Sequence, residues 1–186
     1  MKNRCRWVKL SDPLYVKYHD EEWGQIIKDD RLLFERVCME GMQAGLSWIT
    51  VLKKREDFRE AFYHFDIDKV AEMDEEVVIP ELLQNEKLIR SKNKLLSIIK
   101  NGRIVQGMQK KGESLTDFLW SFAPSDPFKY TGAEPVAQTI ESEAMSKALK
   151  KKGFTYVGPV ICYALMQAVG MVQDHLPECD LHKTEL

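Results

Sequence analysis

Near its C-terminal end the chain reads "DHLPEC", residues 174–179, which places His175 and Cys179 four apart with Pro177 between them. His and Cys at that spacing would share one face of a helix. A proline inside a helix costs about 3 kcal/mol, so the segment reads instead as a turn. A turn can aim both side chains at one ion, and a closed tetrahedral zinc site needs two more ligands from elsewhere in the chain. Cys5 and His19 lie in polar segments near the other end and could complete a Cys2His2 set, stapling the two termini together. His182 is close enough in sequence to compete with either histidine, and His64 is the one remaining histidine of the chain. The competing reading is two surface residues in a loose tail. Cys38 and Cys162 fall inside apolar helical stretches and read as packed thiols. An ion held by four protein ligands has no open position, so it would hold structure rather than activate water. No His-Glu-x-x-His and no Pro-Cys-x-x-Cys is present.

Helical spacing runs through most of the chain. Residues 30–65 predict two helices, the first opened by an acidic cap and the two joined by a turn at "EGMQAG". "DIDKVAEM" and "EEVVIPELLQ" predict short helices, with Pro80 marking a break or a start. Leu95, Ile98, Ile99 and Val105 form one stripe in the stretch after Ser91, a candidate N-cap. Ser114 and Asp117 open "SLTDFLWSF" as an acidic variant of a capping box. Pro124, Pro127 and Pro135 mark a loop over 123–138. "SEAMSKALKKKG" is a helix closed by Gly153, and "GPVICYALMQAVG" is one with Pro159 in its first turn and Gly170 just past its end. "FTYV" could extend but has no partner strand. The expected fold class is all-α, built from many short helices.

Composition agrees with a globular protein. The 186 residues are 44% hydrophobic and 30% charged, enough for one core or two small lobes around a cleft. No apolar run reaches the roughly 18 residues of a membrane span, and "MKNRCRWVKLSDP" has no signal-peptide core. A cytoplasmic protein with reduced thiols is expected. The net charge of -2 does not suggest wholesale polyanion binding, so any nucleic acid must meet a local patch such as "LKKRE", "EKLIRSKNK" or "KALKKKG". The ordinary reading of each is a solvated helix face.

The N-terminal segment "CRWVKLSDPLYVKYHDEEWG" holds Trp7, Tyr15, Tyr18 and Trp23, interleaved with Cys5 and His19. One or two of these rings would serve to pack the segment on the core. Four can wall a pocket for a flat ligand, by stacking or, for a cation, by cation–π attraction of roughly 0.5–2 kcal/mol. Glu40 lies at the C-terminal end of an apolar helix, where the dipole favours cations, which suggests a functional reason for a carboxylate.

These residues together resemble the bacterial 3-methyladenine DNA glycosylase I family of the helix-hairpin-helix glycosylase superfamily. The resemblance is carried by "CRW", "DPLYVKYHDEEWG", "EGMQAGLSWITVLKKRE", "LWSF", "KALKKKGF" and "YVGPVICYALMQAVGMVQDH", in order over residues 5–179. It implies a single glycosylase unit over 1–186, two helical lobes around a base pocket, with zinc-stapled terminal segments 1–25 and 171–186. It implies one structural Zn2+ on Cys5, His19, His175 and Cys179, the set that spacing had left open. It implies a base pocket of Trp7, Tyr15, Tyr18, Trp23 and Trp48, with Glu40 as its carboxylate. Gly45 and Leu46 would fill the gap in the duplex, and Val157 and Gly158 would grip the DNA backbone at a helix start, with Lys150, Lys151 and Lys152 adding charge. Met42 and Gln173 depart from the family pattern. Asp174 lies where the wider superfamily keeps a catalytic aspartate, which this family is understood to lack.

The implied activity is release of 3-methyladenine from double-stranded alkylated DNA by a monofunctional glycosylase. The methylated base is cationic and leaves as a neutral molecule, so no acid is required, and unmodified adenine gains less in an aromatic, anionic pocket. No membrane role is implied, and the size suits a monomer. A non-catalytic, zinc-stapled helical DNA-binding module is the main alternative, and a zinc hydrolase of small molecules is a second.

Overall fold

A computed structural model describes residues 2–131 and 136–183. Pro135 and residues 184–186 of the C-terminal segment therefore lie outside the described residues. Nine α-helices follow in order among those described: α1 Pro13–Glu21, α2 Asp30–Met42, α3 Trp48–Ala61, α4 Ile67–Ala71, α5 Glu75–Gln84, α6 Lys92–Lys110, α7 Leu115–Trp120, α8 Ile140–Lys152 and α9 Pro159–Ala168. No strand forms among the described residues, and 154–157 is a bend, as the missing partner strand foretold.

The caps explain most of the boundaries. Asp12 accepts from the backbone N–H groups of Leu14 and Tyr15 and starts α1 with Pro13 at its first position. Asp29 caps α2 through the Leu32 N–H, and Ser114 caps α7 through Asp117. Gly158 and Pro159 begin α9 without a side-chain cap. α8 starts two residues earlier than "SEAM" suggests, because Thr139 and Ser142 form a reciprocal capping box. Gly153 closes it in the left-handed region.

Two expectations are corrected. Pro80 neither breaks nor starts a helix; it lies within α5. Pro80 and Glu76 are both exposed, so water can take the carbonyl that the proline leaves free. The turn expected at "EGMQAG" starts later, since Glu40, Gly41 and Met42 still belong to α2. Gly41 is there for closeness rather than for a turn: a Cβ on it would come within 3.1 Å of the Tyr156 Cβ and 3.2 Å of its carbonyl oxygen.

α2 is the central helix. It packs against α3, α6, α7 and α9, and Leu33 through Met42 are all buried, polar residues included. A helix enclosed on every side must satisfy its charges internally. Glu35 pairs with Arg59, and Arg36 pairs with Glu22. α4 and α5 lie on α6, and the expected stripe of Leu95, Ile98, Ile99 and Val105 is fully buried between them and α2. α8 rests on α9, which brings the C-terminal segment back to α1 and α2.

Candidate functional site

α1 turns inward a face on which Tyr15, Tyr18 and His19 follow at helical spacing, so one short helix carries both pocket rings and a metal-type ligand. Cys5 sits in the preceding turn, and His175 and Cys179 arrive from the segment after α9, which is a turn rather than a helix. All four side chains are buried, and their ligand atoms lie within 4.8 Å of one another. Cys5 Sγ is 3.5 Å from His175 Nδ1, and Cys179 Sγ is 3.5 Å from His19 Nε2 and 3.6 Å from His175 Nδ1. Zinc–sulfur and zinc–nitrogen bonds of about 2.3 and 2.0–2.1 Å at tetrahedral angles give a sulfur–nitrogen edge of about 3.6 Å. The cluster therefore has the dimensions of a closed metal site.

Its surroundings fit as well. His19 Nδ1 is 2.8 Å from Asp20, whose carboxylate is gripped by Arg4 at 2.8 and 2.7 Å and held well below the usual range by that bond. Such a partner fixes the ring so that the other nitrogen faces the ion. Backbone N–H groups of Leu176 and Leu181 point at the sulfurs of Cys5 and Cys179. Burial pushes the Cys5 thiol up to about 12 and His175 down to about 4. Without a cation the cluster is thus driven towards neutral forms, and a cation is what would draw out the thiolates. His182, the competing histidine, is not a member: its Nδ1 is bonded to the His175 carbonyl oxygen at 2.7 Å.

Against this cluster opens a cavity of about 590 Å3. Trp7, Tyr15, Tyr18, Trp23, Trp48 and Glu40 all line it, so the structure brings together every residue expected in a base pocket. Trp7 packs on Tyr15, His19 and Trp23 at centroid distances of 5.1–5.3 Å, and Trp23 meets His175 edge-on at 4.7 Å. The rings therefore lean on the metal-type ligands themselves. Tyr18 and Trp48 lie 5.3 Å apart at 46°, too close to hold a base between them, since a sandwich needs about 7 Å. They form one corner of the cavity rather than its two faces. Trp48 Nε1 is buried there with no hydrogen-bond partner.

Glu40 is 3% exposed, and burial pushes its carboxyl up to about 8, with Arg36 one turn earlier on α2 working in the other direction. An acid held that far above its normal range in a cleft is a mark of a functional position. Gln43, Ala164 and Gln167 line the same cavity and were not anticipated as pocket residues; Asp174, at the position of the superfamily's catalytic aspartate, lines it too. A signal existed for Gln167, which is a polar residue in the most apolar helix of the chain. Asp174 accepts from Tyr163 at 3.0 Å and from Gln167 at 2.6 Å, so it is tied to α9.

The remaining expected positions lie apart from the cavity floor. Gly45 and Leu46 form an exposed tip between α2 and α3, with Gly45 at φ 75° and Leu46 40% exposed. Val157 is buried and Gly158 is the N-cap of α9, the place for a helix-start phosphate grip. Lys150 and Lys151 are exposed nearby, but Lys152 is paired with Glu113 at 2.6 Å and is not available as a free charge.

Fold and site together define an all-helical protein with an aromatic pocket beside a Cys2His2 cluster. The methyladenine glycosylase family profile matches residues 7–183, and the chain belongs to that family. It is 50% identical over 180 residues to DNA-3-methyladenine glycosylase 1 of Escherichia coli (strain K12), covering 95% of each chain. A crystal structure of 3-methyladenine DNA glycosylase I superposes with a TM-score of 0.92 at 48% identity, over 97% of this chain and 100% of that one. A variant of 3-methyladenine DNA glycosylase I in complex with 3-methyladenine superposes with a TM-score of 0.90 at 31% identity, over 99% of this chain and 100% of the other. Among the described residues no helix is long and apolar enough to cross a membrane.

Proposed function

We propose that this chain is a monofunctional DNA glycosylase that releases 3-methyladenine from alkylated double-stranded DNA. The observation that carries the reading is a cavity lined by five aromatic rings and one buried carboxyl group. Relatives over the full length of the chain are DNA-3-methyladenine glycosylases, and one such structure holds the base itself.

Methylation at N3 gives the purine of a DNA nucleotide a positive charge. The nucleotide leaves the stack at a cost of a few kcal/mol, least for damaged bases. In the cavity the cationic base meets Trp48 and Tyr18 as a cornered aromatic surface, with Trp7 and Trp23 closing the other side. Glu40 favours the cation by charge and accepts from its exocyclic amine. Because burial raises the pKa of Glu40 to about 8 and favours its protonated form, the arrival of a cation is what expels the Glu40 proton, and neutral adenine offers no such exchange. The N-glycosidic bond breaks with its electron pair passing to the base, which departs neutral. Water adds to the sugar carbon, loses its proton to solvent and leaves an abasic site.

Cys5, His19, His175 and Cys179 hold one Zn2+, whose contribution is a cross-link between the terminal segments. What the chain's own residues do there is place Trp7, Tyr18 and Trp23, each adjacent to a ligand in sequence or packed on one. The whole chain acts as one unit, with α1–α3 on one side of the cavity and α9 with the following segment on the other. Leu46 enters the space the base vacates, and the backbone at Val157 and Gly158 binds phosphate.

Incubation with N-methylated duplex DNA, followed by identification of the liberated purine, tests the proposal. The expected products are free 3-methyladenine and an unbroken strand carrying an abasic site. Binding of that DNA without any free base would favour the non-catalytic module instead.

A further inference from the structure

The cluster of polar contacts behind the exposed 43–47 tip is not used by the mechanism. Lys94 stands in the first turn of α6, a poor place for a cation because the helix dipole opposes it there. It is nevertheless buried, with 8% exposure. Its ammonium donates to the carbonyl oxygens of Met42 at 2.8 Å and Ala44 at 2.5 Å. Met42 is the last residue of α2, whose final carbonyls have no partner in their own helix and carry the negative end of its dipole. Ala44 belongs to the turn that follows.

These two carbonyls flank Gln43 and lie directly behind the tip. Its outward side is open: a Cβ on Gly45 would meet no atom within 4 Å, and Leu46 is 40% exposed. The turn's own closing bond is the one from the Leu46 N–H to the Gln43 carbonyl, at 2.7 Å. The turn is thus tight at its tip and anchored inward through one ammonium on another helix.

We infer that Lys94 is a positioning residue that braces the 43–47 turn, so that Leu46 can be driven into duplex DNA as the damaged nucleotide leaves the stack. The inference rests on the reading of Leu46 as the residue that fills the vacated space. A side chain pressed into a base stack is pushed back with equal force, and a tip joined to its helices only by backbone would yield. Two charge-assisted bonds from a buried cation resist that load. The same turn links Glu40 on α2 to Trp48 on α3, so a merely structural role would disturb base binding and duplex activity alike.

The test separates those two readouts. Lys94→Met removes the ammonium and keeps the apolar stem. Release of 3-methyladenine from methylated duplex DNA is expected to fall at least about tenfold. Affinity for the free base, followed by tryptophan fluorescence, stays within about twofold of wild type, since base contacts are untouched. Lys94→Gln keeps a donor group, recovers part of the loss, and serves the comparison should the Met variant not fold. In a Leu46→Ala background, Lys94→Met adds less than about a further twofold, because no tip is left to brace. Equal losses of free-base affinity and duplex release would overturn the inference, as would fully multiplicative losses in the double variant or wild-type release by Lys94→Met. Wild-type release by Leu46→Ala would instead remove the gap-filling reading, and the inference with it.

Discussion

Arg55 grips both oxygens of Glu22, donating at 2.5 and 2.9 Å, and Arg36 adds a third bond to the same carboxylate at 2.8 Å. Glu22 follows the end of α1, Arg36 lies on α2 and Arg55 on α3, so one carboxylate joins the three helices that carry Tyr18, Glu40 and Trp48. Burial opposes ionisation of Glu22, but the bonds from Arg55 and Arg36 outweigh it and hold the group at about 2, against 4.5 normally. A depressed carboxylate stabilises the fold above its unfolded value, and that contribution disappears as pH falls from about 4.5 through about 2. The shift corresponds to roughly 3 kcal/mol. Glu22→Gln should therefore lower unfolding free energy by about that much at pH 7, with a shrinking difference from wild type in urea melts carried towards pH 2. Free-base affinity should fall with it, because the pocket walls lose their common tie.

Glu40 has the opposite linkage. Its folded value is raised to about 8 from 4.5 by burial, so the fold takes up a proton there. Stability is complete below about 4.5 and declines as pH rises through about 8, by roughly 3–5 kcal/mol in all. Glu40→Gln removes this penalty. The variant should match wild type near pH 4.5 and exceed it in urea melts at pH 9, while releasing 3-methyladenine at least about tenfold more slowly. A variant that is more stable and less active would separate a site built for charge from a carboxyl that merely packs. Equal stability at both pH values would show that Glu40 is not desolvated in solution.

Much of this architecture was legible in the sequence because its signals are local. Asp29, Ser114, Gly153 and Pro159 each set a helix boundary through their own backbone chemistry, and all four are where the pattern places them. The four metal-type ligands were visible as residue types, but spacing alone could not choose between His19 and His182; that choice needs the turn that bonds His182 to the His175 backbone. Gly41 was misread for the same reason. Its purpose is the approach of Tyr156, more than a hundred residues away in sequence. Tyr63, His64 and Phe65 all adopt left-handed backbone at φ 52–58° without a glycine to announce it, and buried packing of Phe65 on Phe62 and Phe34 is what compensates. The corner formed by Tyr18 and Trp48 is likewise a tertiary fact, since it exists only once α1 and α3 have packed against each other.

Trp48 carries a second assignable property. Its ring closes the corner with Tyr18, while its Nε1–H is buried with no partner. A buried donor left unmade costs roughly 1–3 kcal/mol, a cost that a purine ring nitrogen in the cavity would relieve. Trp48→Phe keeps an aromatic surface and deletes the donor. Free 3-methyladenine should bind this variant about 3–30-fold more weakly, with fold stability unchanged or improved. Trp48→Ala, which also removes the stacking surface, should be weaker still. Undiminished affinity in Trp48→Phe would show that the indole acts through its ring alone.

The Cys2His2 cluster ties chemistry to the pocket by direct packing, and this makes its loss distinguishable from a local defect. Trp7 leans on His19 and Trp23 on both histidines, so two walls of the cavity rest on rings whose orientation the ion would fix. The terminal segments meet with few other anchors, among them the Arg6–Glu178 pair at 2.6 Å, which is largely exposed and worth little, and the Asn3–Asp180 bonds. Cys179→Ser or exhaustive chelation should therefore lower the unfolding free energy by at least a few kcal/mol, about 10 °C or more in Tm. Free-base affinity should drop in the same samples, and elemental analysis should find one zinc per wild-type chain and none in the variant. Re-addition of zinc to the chelated wild type should restore Tm and base binding together, because the closed donor set has no catalytic position through which activity could return alone. Full zinc content in Cys179→Ser would transfer the fourth ligand to another residue. Recovery of activity without recovery of Tm would give the ion a chemical role that four protein ligands do not allow.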